Sequence, residues 1–131
     1  GYTPVVTVPV RVDDGVAVNA DADRAAAAVA GALGAELVVL TDVEGIYADP
    51  DDASTLIESV ATPAEFDALK DAAEGFMTKK VMAAKEALDG GAVTVIVADA
   101  NADEPILSAL AGGGTHIDAS AVASDDAEVA Q

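Results

Sequence analysis

Short β-branched runs alternate with helical segments along most of this chain, and this alternation limits the folds open to it. The predicted strands comprise residues 4–9, 36–40, 56–60, 93–97 and 115–117. The predicted helices comprise residues 21–33, 62–73, 77–88 and 104–110. Strands that alternate with helices in this way predict an α/β domain with a mainly parallel sheet, covered by helices on both faces.

A β-hairpin is predicted near the start of the chain. Residues 10–12 and 16–18 alternate in polarity around an Asp-Asp-Gly turn. Because ligands of open α/β sheets bind beyond the carboxyl ends of the strands, we expect functional residues in the loops that follow strands and at the starts of helices.

Charge and composition exclude several classes of function. The 131 residues carry 24 acids against 6 Lys plus Arg, a net charge of -18, which argues against nucleic-acid partners and anionic membranes. The absence of Cys excludes disulfides and thiolate zinc sites, and the single His116 lies among scattered acids, so we predict no metal site. No apolar run approaches the ~20 residues that span a bilayer, and we expect a cytoplasmic protein. The scarcity of Lys suggests adaptation to a high-salt interior.

The first candidate constellation lies where the hairpin leads into a helix. Alternate residues Asn19, Asp21 and Asp23 can project their polar side chains into one space. Asn and Asp are also preferred helix N-caps, and acids suit the positive end of a helix. One cap needs only one such residue, so capping is favoured for Asp21 and less so for its two neighbours.

The second constellation is a pair of lysines at the start of the third predicted helix. At 100° per residue an apolar stripe forms, and Lys80 borders it whereas Lys79 points away. The stripe consists of Met77, Val81, Ala84 and Leu88. Lysines near a helix N-terminus oppose the macrodipole by ~0.3–1 kcal/mol each, but with the free N–H groups they favour anion binding. Solvated lysines are the alternative, which we retain for Lys79.

The third constellation follows the predicted strand at residues 36–40. Thr41 and Asp42 could lie near phosphates or ribose, Tyr47 could lie along a base, and Gly45 and Asp49 belong to the same loop. The same residues are equally compatible with an ordinary turn. The chain has neither a Gly-Lys dipeptide nor a Gly-x-Gly-x-x-Gly at a strand–helix junction, so the common phosphate-binding motifs are absent.

Five ordered motifs resemble the C-terminal half of the amino-acid kinase family, between Gly1 and Ile117. They read TPVV, NADADRAAA, LVVLTDVEGIYADP, GFMTKKV and GGGTHI. The chain is most similar to the N-acetylglutamate kinases and to the kinases of carrier-protein-bound glutamate or aminoadipate. The composition adds a haloarchaeal character to this resemblance.

The resemblance implies a three-layer α/β/α sandwich and ATP-dependent phosphorylation of a side-chain carboxylate to an acyl phosphate. It implies that Lys80 stabilises the transition state, that Asp23 orients the catalytic lysines and that Asn19 binds substrate. Asp21 departs from the family, which often has Asn at that position. The residues implied to bind nucleotide are Thr41, Asp42, Gly45, Tyr47 and Asp49.

The resemblance also implies ATP and Mg²⁺ as cofactors, and either a small acylamino acid or a carrier-protein-bound amino acid as the acceptor. It implies a homo-oligomer for the full-length enzyme. We expect residues 1–117 to form the ATP-binding part of a kinase domain that lacks its N-terminal half and is inactive alone. Residues 118–131 are expected to be a disordered tail. A non-catalytic nucleotide-binding or subunit-interaction module, and a relative acting on uridylate, aspartate or carbamate, remain open.

Overall fold

A computed structural model describes residues 1–123 of the chain. The strands are β1 (Val10–Arg11), β2 (Ala17–Val18), β3 (Glu36–Thr41), β4 (Ser59–Val60), β5 (Thr94–Asp99) and β6 (Thr115–Asp118). The α-helices are α1 (Ala22–Leu33), α2 (Pro63–Ala72), α3 (Phe76–Gly90) and α4 (Pro105–Leu110). Two short 3₁₀ turns occupy Ala53–Thr55 and Ala119–Val122. In the described range, no helix combines the length and the apolar character needed to cross a bilayer.

The main sheet has four strands in the order β3-β5-β6-β4. Strand β3 runs parallel to β5, and β4 runs parallel to β6, while β5 and β6 are antiparallel. The strands β1 and β2 form the predicted hairpin as a separate antiparallel pair. The predicted mainly parallel α/β sheet is therefore confirmed.

Both faces of the sheet are covered by helices, because successive strand residues point to opposite sides. In β5, Val95 and Val97 join the larger core cluster, which includes buried residues of α1, α2 and α3. The alternate residues Ile96 and Ala98 pack instead with Ala109 of α4. The structure is thus the expected three-layer α/β/α sandwich, with a single short helix on its second face.

Local sequence signals account for the ends of the helices. Thr62 accepts a hydrogen bond from the N–H of Glu65 at 3.2 Å, while its hydroxyl donates to the Glu65 carboxylate at 3.0 Å. This is the predicted N-terminal cap of α2, with Pro63 at its first position. Helix α1 ends at Gly34, whose φ of 61° is the left-handed conformation that glycine adopts without steric cost.

Two predictions differ from the structure. Residues 4–9 do not form a buried strand: Val5 and Val6 are exposed, because no described strand pairs with them.

The predicted tail boundary also differs, since Asp118 ends β6 and the 3₁₀ turn after it buries Ala121. Asp118 accepts hydrogen bonds from the N–H and the hydroxyl of Ser120, which folds this turn. Residues 124–131 of the predicted tail lie outside the described range.

Candidate functional site

The helices α1 and α3 begin at the edge of the sheet where β3 and β5 end. Helix α1 is followed closely by β3, and α3 by β5, so each helix runs back along the strand that comes after it. The N–H of Val93 donates to the carbonyl of Ala35 at 3.1 Å, which holds the two helix-to-strand connections side by side at the opposite edge. The N-termini of both helices therefore lie together at the carboxyl edge, where ligands of such sheets bind.

Lys80 of α3 and Asp23 of α1 form an ion pair at this edge. The Lys80 Nζ lies 3.1 Å from Asp23 Oδ2 and 3.4 Å from Oδ1. The two side chains are 17% and 30% exposed, so the pair is largely withdrawn from water but still reachable from it. A charge-assisted contact in such a setting fixes the ammonium more firmly than an exposed pair would. The structure thus brings together the two residues that the sequence singles out as catalytic.

The other two polar residues of the first constellation have different places. Asp21 is the N-cap of α1, and its carboxylate accepts the N–H of Arg24 at 3.1 Å. This confirms the capping role favoured for Asp21. Asn19 is exposed in the connection between β2 and α1, close in sequence to Asp23, where it could contact a ligand at the edge.

The start of α3 carries two lysines, Lys79 and Lys80. Gly75 is its N-cap with no side-chain hydrogen bond, and the first turn of the helix contains no acid. As predicted, Lys79 is exposed whereas the stripe beside Lys80 is buried against the core. The N–H groups of Met77 and Thr78 donate to the carbonyls of Glu74 and Gly75, so fewer free N–H groups face outward than predicted.

The loop that follows β3 is anchored to β6. The N–H of Ile46 donates to the buried hydroxyl of Thr115 at 2.9 Å. A Cβ on Gly45 would lie 2.7 Å from that hydroxyl, so only glycine allows this approach. Earlier in the loop, Thr41 donates to the Asp42 carboxylate at 3.4 Å. Gly45 thus has a packing role in the loop, whereas Thr41 and Asp42 stand at the end of β3 next to Asp99, their neighbour on β5.

Tyr47 lines a small cavity between this loop and the junction of α2 and α3. The cavity has a volume of about 150 Å³, and its walls include Val43, Tyr47, Pro50, Ala73 and Met77. Typical ligand pockets measure ~300–1,000 Å³, so this cavity can take one flat ring system of a ligand but not a whole nucleotide. Met77 lies one helical turn before Lys80, so the cavity and the ion pair both lie at the start of α3.

Asp49 belongs to the hydrogen-bonded turn that closes the loop. Its N–H donates to the hydroxyl of Thr55 at 2.9 Å, and its carboxylate accepts the N–H of Asp51 at 3.0 Å. Hydrogen bonds from the hydroxyl and then the N–H of Ser54 hold the pKa of Asp52 below its ordinary value. These contacts give Asp49 a role in holding the turn, and its predicted contact with a nucleotide stays a prediction.

Two features of the site were missed from the sequence. The first is the role of Thr115. A glycine at residue 45 indicates that another residue packs closely against it, but the sequence does not show that this residue is Thr115. Arg24 and Glu86 join α1 to α3 through an Nε–Oε contact of 3.2 Å.

Within residues 1–123, no group of three or more His, Asp or Glu side chains is arranged to hold a metal ion. The Nε2 of His116 instead lies 3.0 Å from the carbonyl of Gly113.

Comparison with known proteins gives a consistent set of matches. Residues 1–99 match the model of the amino acid kinase family. The LysW-aminoadipate kinase of Deinococcus radiodurans is 47% identical over 119 residues, which cover 89% of this chain and 40% of that protein. An acetylglutamate kinase of Thermus thermophilus is 47% identical over 100 residues, covering 75% of this chain and 39% of that enzyme. The chain thus spans about two fifths of the length of these relatives.

A solved structure supports the same grouping. The N-acetylglutamate synthase of Neisseria gonorrhoeae, crystallised with coenzyme A and L-arginine, superimposes with a TM-score of 0.70 at 32% identity. The matched region covers 82% of this chain and 25% of that one. The three-layer sandwich is therefore shared with solved proteins over most of the chain.

Proposed function

The chain belongs to the amino acid kinase family, and from this premise we propose that it is the nucleotide-binding part of an ATP-dependent carboxylate kinase. The proposed reaction transfers the γ-phosphoryl group of ATP to the side-chain carboxylate of an N-blocked glutamate or aminoadipate. The observation that carries the proposal is the ion pair of Lys80 and Asp23 at the carboxyl edge of the sheet. In this proposal residues 1–117 form the ATP-binding part.

The chemistry of this transfer explains why a fixed lysine is needed. A carboxylate oxygen attacks the γ-phosphorus, the bond from that phosphorus to the β,γ-bridging oxygen breaks, and ADP leaves with the bond electrons. No proton has to move, because the acceptor is already an anion. The barrier comes from bringing negative groups together, and an ammonium aimed at the transferred group lowers it. Lys80 is the half-buried cation at this edge that can do so.

Asp23 has a positioning role in this proposal. Its carboxylate holds the Lys80 ammonium through two close oxygens, so the long lysine side chain does not have to be ordered at the moment of reaction. Asn19, exposed in the connection before α1, is proposed to contact the acceptor. Lys79 is exposed and lies outside the proposed chemistry.

The loop after β3 suits a nucleotide at the same edge. The cavity beside Tyr47 can take the base, while Thr41 and Asp42 offer oxygen atoms near the phosphates. Mg²⁺ usually binds through one or two carboxylates together with substrate phosphates, and these two residues fit that donor set. When bound, the ion would neutralise phosphate charge. The protein's own contribution is to hold the phosphates next to Lys80.

The proposed acceptor class rests on the relatives, which are named as kinases of aminoadipate attached to LysW and of acetylglutamate. Trapping the product with hydroxylamine tests it, because acyl phosphates form hydroxamates whereas phosphate monoesters do not. We expect hydroxamate with N-acetylglutamate or N-acetylaminoadipate and ATP in an active kinase polypeptide that contains this chain. Release of ADP from ATP with aspartate, carbamate or uridylate alone, and none with the N-acetylated acceptors, would contradict the acceptor assignment.

A second candidate is a nucleotide-binding or subunit-interaction module without activity. It is favoured by an apolar groove of about 620 Å³, lined by one side of α1, by residues 6–8 and 10, and by the start of β3. Val29 and Leu33 of α1 are both exposed, which suits a surface that another element covers. Calorimetric binding of MgADP without any hydroxamate in the active-length polypeptide would favour this candidate over the kinase.

A further inference from the structure

We propose that Gly31 is a positioning residue, whose lack of a side chain sets the distance between Asp23 and Lys80. This inference rests on the proposed function, since it concerns the ion pair to which catalysis is assigned. Gly31 lies near the C-terminal end of α1, far along the helix from Asp23. It makes no contact with substrate in this proposal and acts through the packing of α1 on α3.

The two helices of the ion pair lie side by side and point the same way. Their N-terminal ends meet at Asp23 and Lys80, and their C-terminal ends meet where Gly31 approaches Gly90 and Gly91. The buried residues between these two contacts are mostly small, namely Ala27 and Ala30 on α1 with Ala83, Ala84 and Ala87 on α3. Small side chains do not interlock deeply, so the separation of the helices depends on how closely their backbones can approach.

The approach at Gly31 is too close to admit a methyl group without movement of the backbone. A Cβ built there lies 3.2 Å from the carbonyl oxygen of Ala87, 3.2 Å from the Cα of Gly90 and 3.3 Å from its carbonyl carbon. All three are backbone atoms of α3, which cannot rotate aside as a side chain could. A methyl group at residue 31 therefore moves one helix away from the other by a few tenths of an ångström.

A displacement of one helix relative to the other matters because the two charges of the ion pair lie on different helices. Asp23 has a short side chain on the first turn of α1, so its carboxylate moves with the helix backbone. The Nζ–Oδ2 distance of 3.1 Å lies at the long end of the usual ~2.7–3.2 Å range, so lengthening it weakens the contact. A misplacement of ~1 Å at a catalytic group costs ~10²-fold in rate, so a shift of about 0.3 Å predicts a loss of roughly fourfold.

Gly90 supplies a matched control at the same contact. A Cβ on Gly90 would meet the Cα of Gly31 at 3.5 Å, which is an ordinary van der Waals distance. Gly31→Ala and Gly90→Ala therefore make the same chemical change on facing helices. Both also gain the helix preference of Ala over Gly. Only the first forces the backbones apart.

The test compares the two variants in an active kinase polypeptide that contains this chain. We expect Gly31→Ala to lower kcat roughly fourfold with the KM for ATP nearly unchanged, and Gly90→Ala to leave both within about twofold. Crystal structures of both variants give the second readout. The Nζ–Oδ2 distance should lengthen by a few tenths of an ångström in Gly31→Ala and stay near 3.1 Å in Gly90→Ala.

Each other outcome counts against the inference in a distinct way. An Nζ–Oδ2 distance that stays near 3.1 Å in Gly31→Ala overturns the positioning role alone. A lengthened ion pair with unchanged kcat refutes the catalytic role proposed for Lys80 and Asp23. Loss of folding in Gly31→Ala also overturns the inference, because the glycine would then support the fold as a whole.

Discussion

The hydroxyl of Thr115 anchors the loop that carries Tyr47, and replacing this hydroxyl tests the anchor directly. Thr115→Val keeps the shape of the side chain but removes the acceptor of the Ile46 N–H at 2.9 Å. Thr115 is 0% exposed and Ile46 is 2% exposed, so the unpaired N–H has no route to water. Leaving a buried donor unpaired costs about 1–3 kcal/mol of unfolding free energy.

Thr115→Ser is the matched control, because it keeps the hydroxyl and removes only a methyl group. That loss costs about 1 kcal/mol, so urea unfolding alone separates the two variants weakly. Hydrogen exchange at the Ile46 amide separates them clearly. We expect exchange to rise about tenfold or more in Thr115→Val, since ~1.4 kcal/mol corresponds to a factor of ten, and to stay slow in Thr115→Ser. Equal protection of the Ile46 amide in both variants would refute the anchoring role.

Three further predictions concern stability. The melting temperature should rise between low salt and molar KCl, because screening shortens repulsion among the excess acids to about 3 Å; an unchanged melting temperature would remove the high-salt hypothesis. Hydrogen bonds from the N–H and then the hydroxyl of Ser120 lower the pKa of Asp118, as those from Ser54 lower that of Asp52. Their stabilisation is therefore present above the ordinary value of 3.8 and lost as pH falls through the lower folded pKa. Urea melts of Asp118→Asn and of the parent should therefore differ at neutral pH and converge once the pH is below that lowered pKa. Asp21→Ala should cost about 1 kcal/mol in urea unfolding through loss of the α1 cap; no change would contradict that cap.

Patterns in the sequence predicted those features of the fold that depend on the residues of a single helix or strand. The 100° spacing along α3 was enough to choose Lys80 over Lys79, because the apolar stripe sets which lysine borders the core. The cap of α2 followed from a pattern of four consecutive residues. Such signals are local, and the structure agrees with them.

Contacts between distant residues could not be predicted in this way. The β-branched composition of residues 4–9 indicates a strand but says nothing of a partner, and no described strand pairs with them. The hydrogen bond between Ile46 and Thr115 joins residues that are 69 positions apart in the sequence, so the pattern around either residue cannot reveal it. The turn after β6 was missed because its buried residue is only Ala121, which carries little hydrophobic signal.

The comparison of Lys80→Ala with Lys79→Ala tests the central claim most directly. Both variants remove one positive charge from the start of α3, but only Lys80 is half-buried against Asp23. In an active polypeptide that contains this chain, we measure acyl-phosphate formation with ATP and the N-acetylated acceptors. The account predicts that Lys80→Ala lowers kcat by ~10²-fold or more with little change in ATP affinity, while Lys79→Ala stays within about threefold of the parent. Near-normal turnover of Lys80→Ala, or equal losses in the two variants, would contradict it.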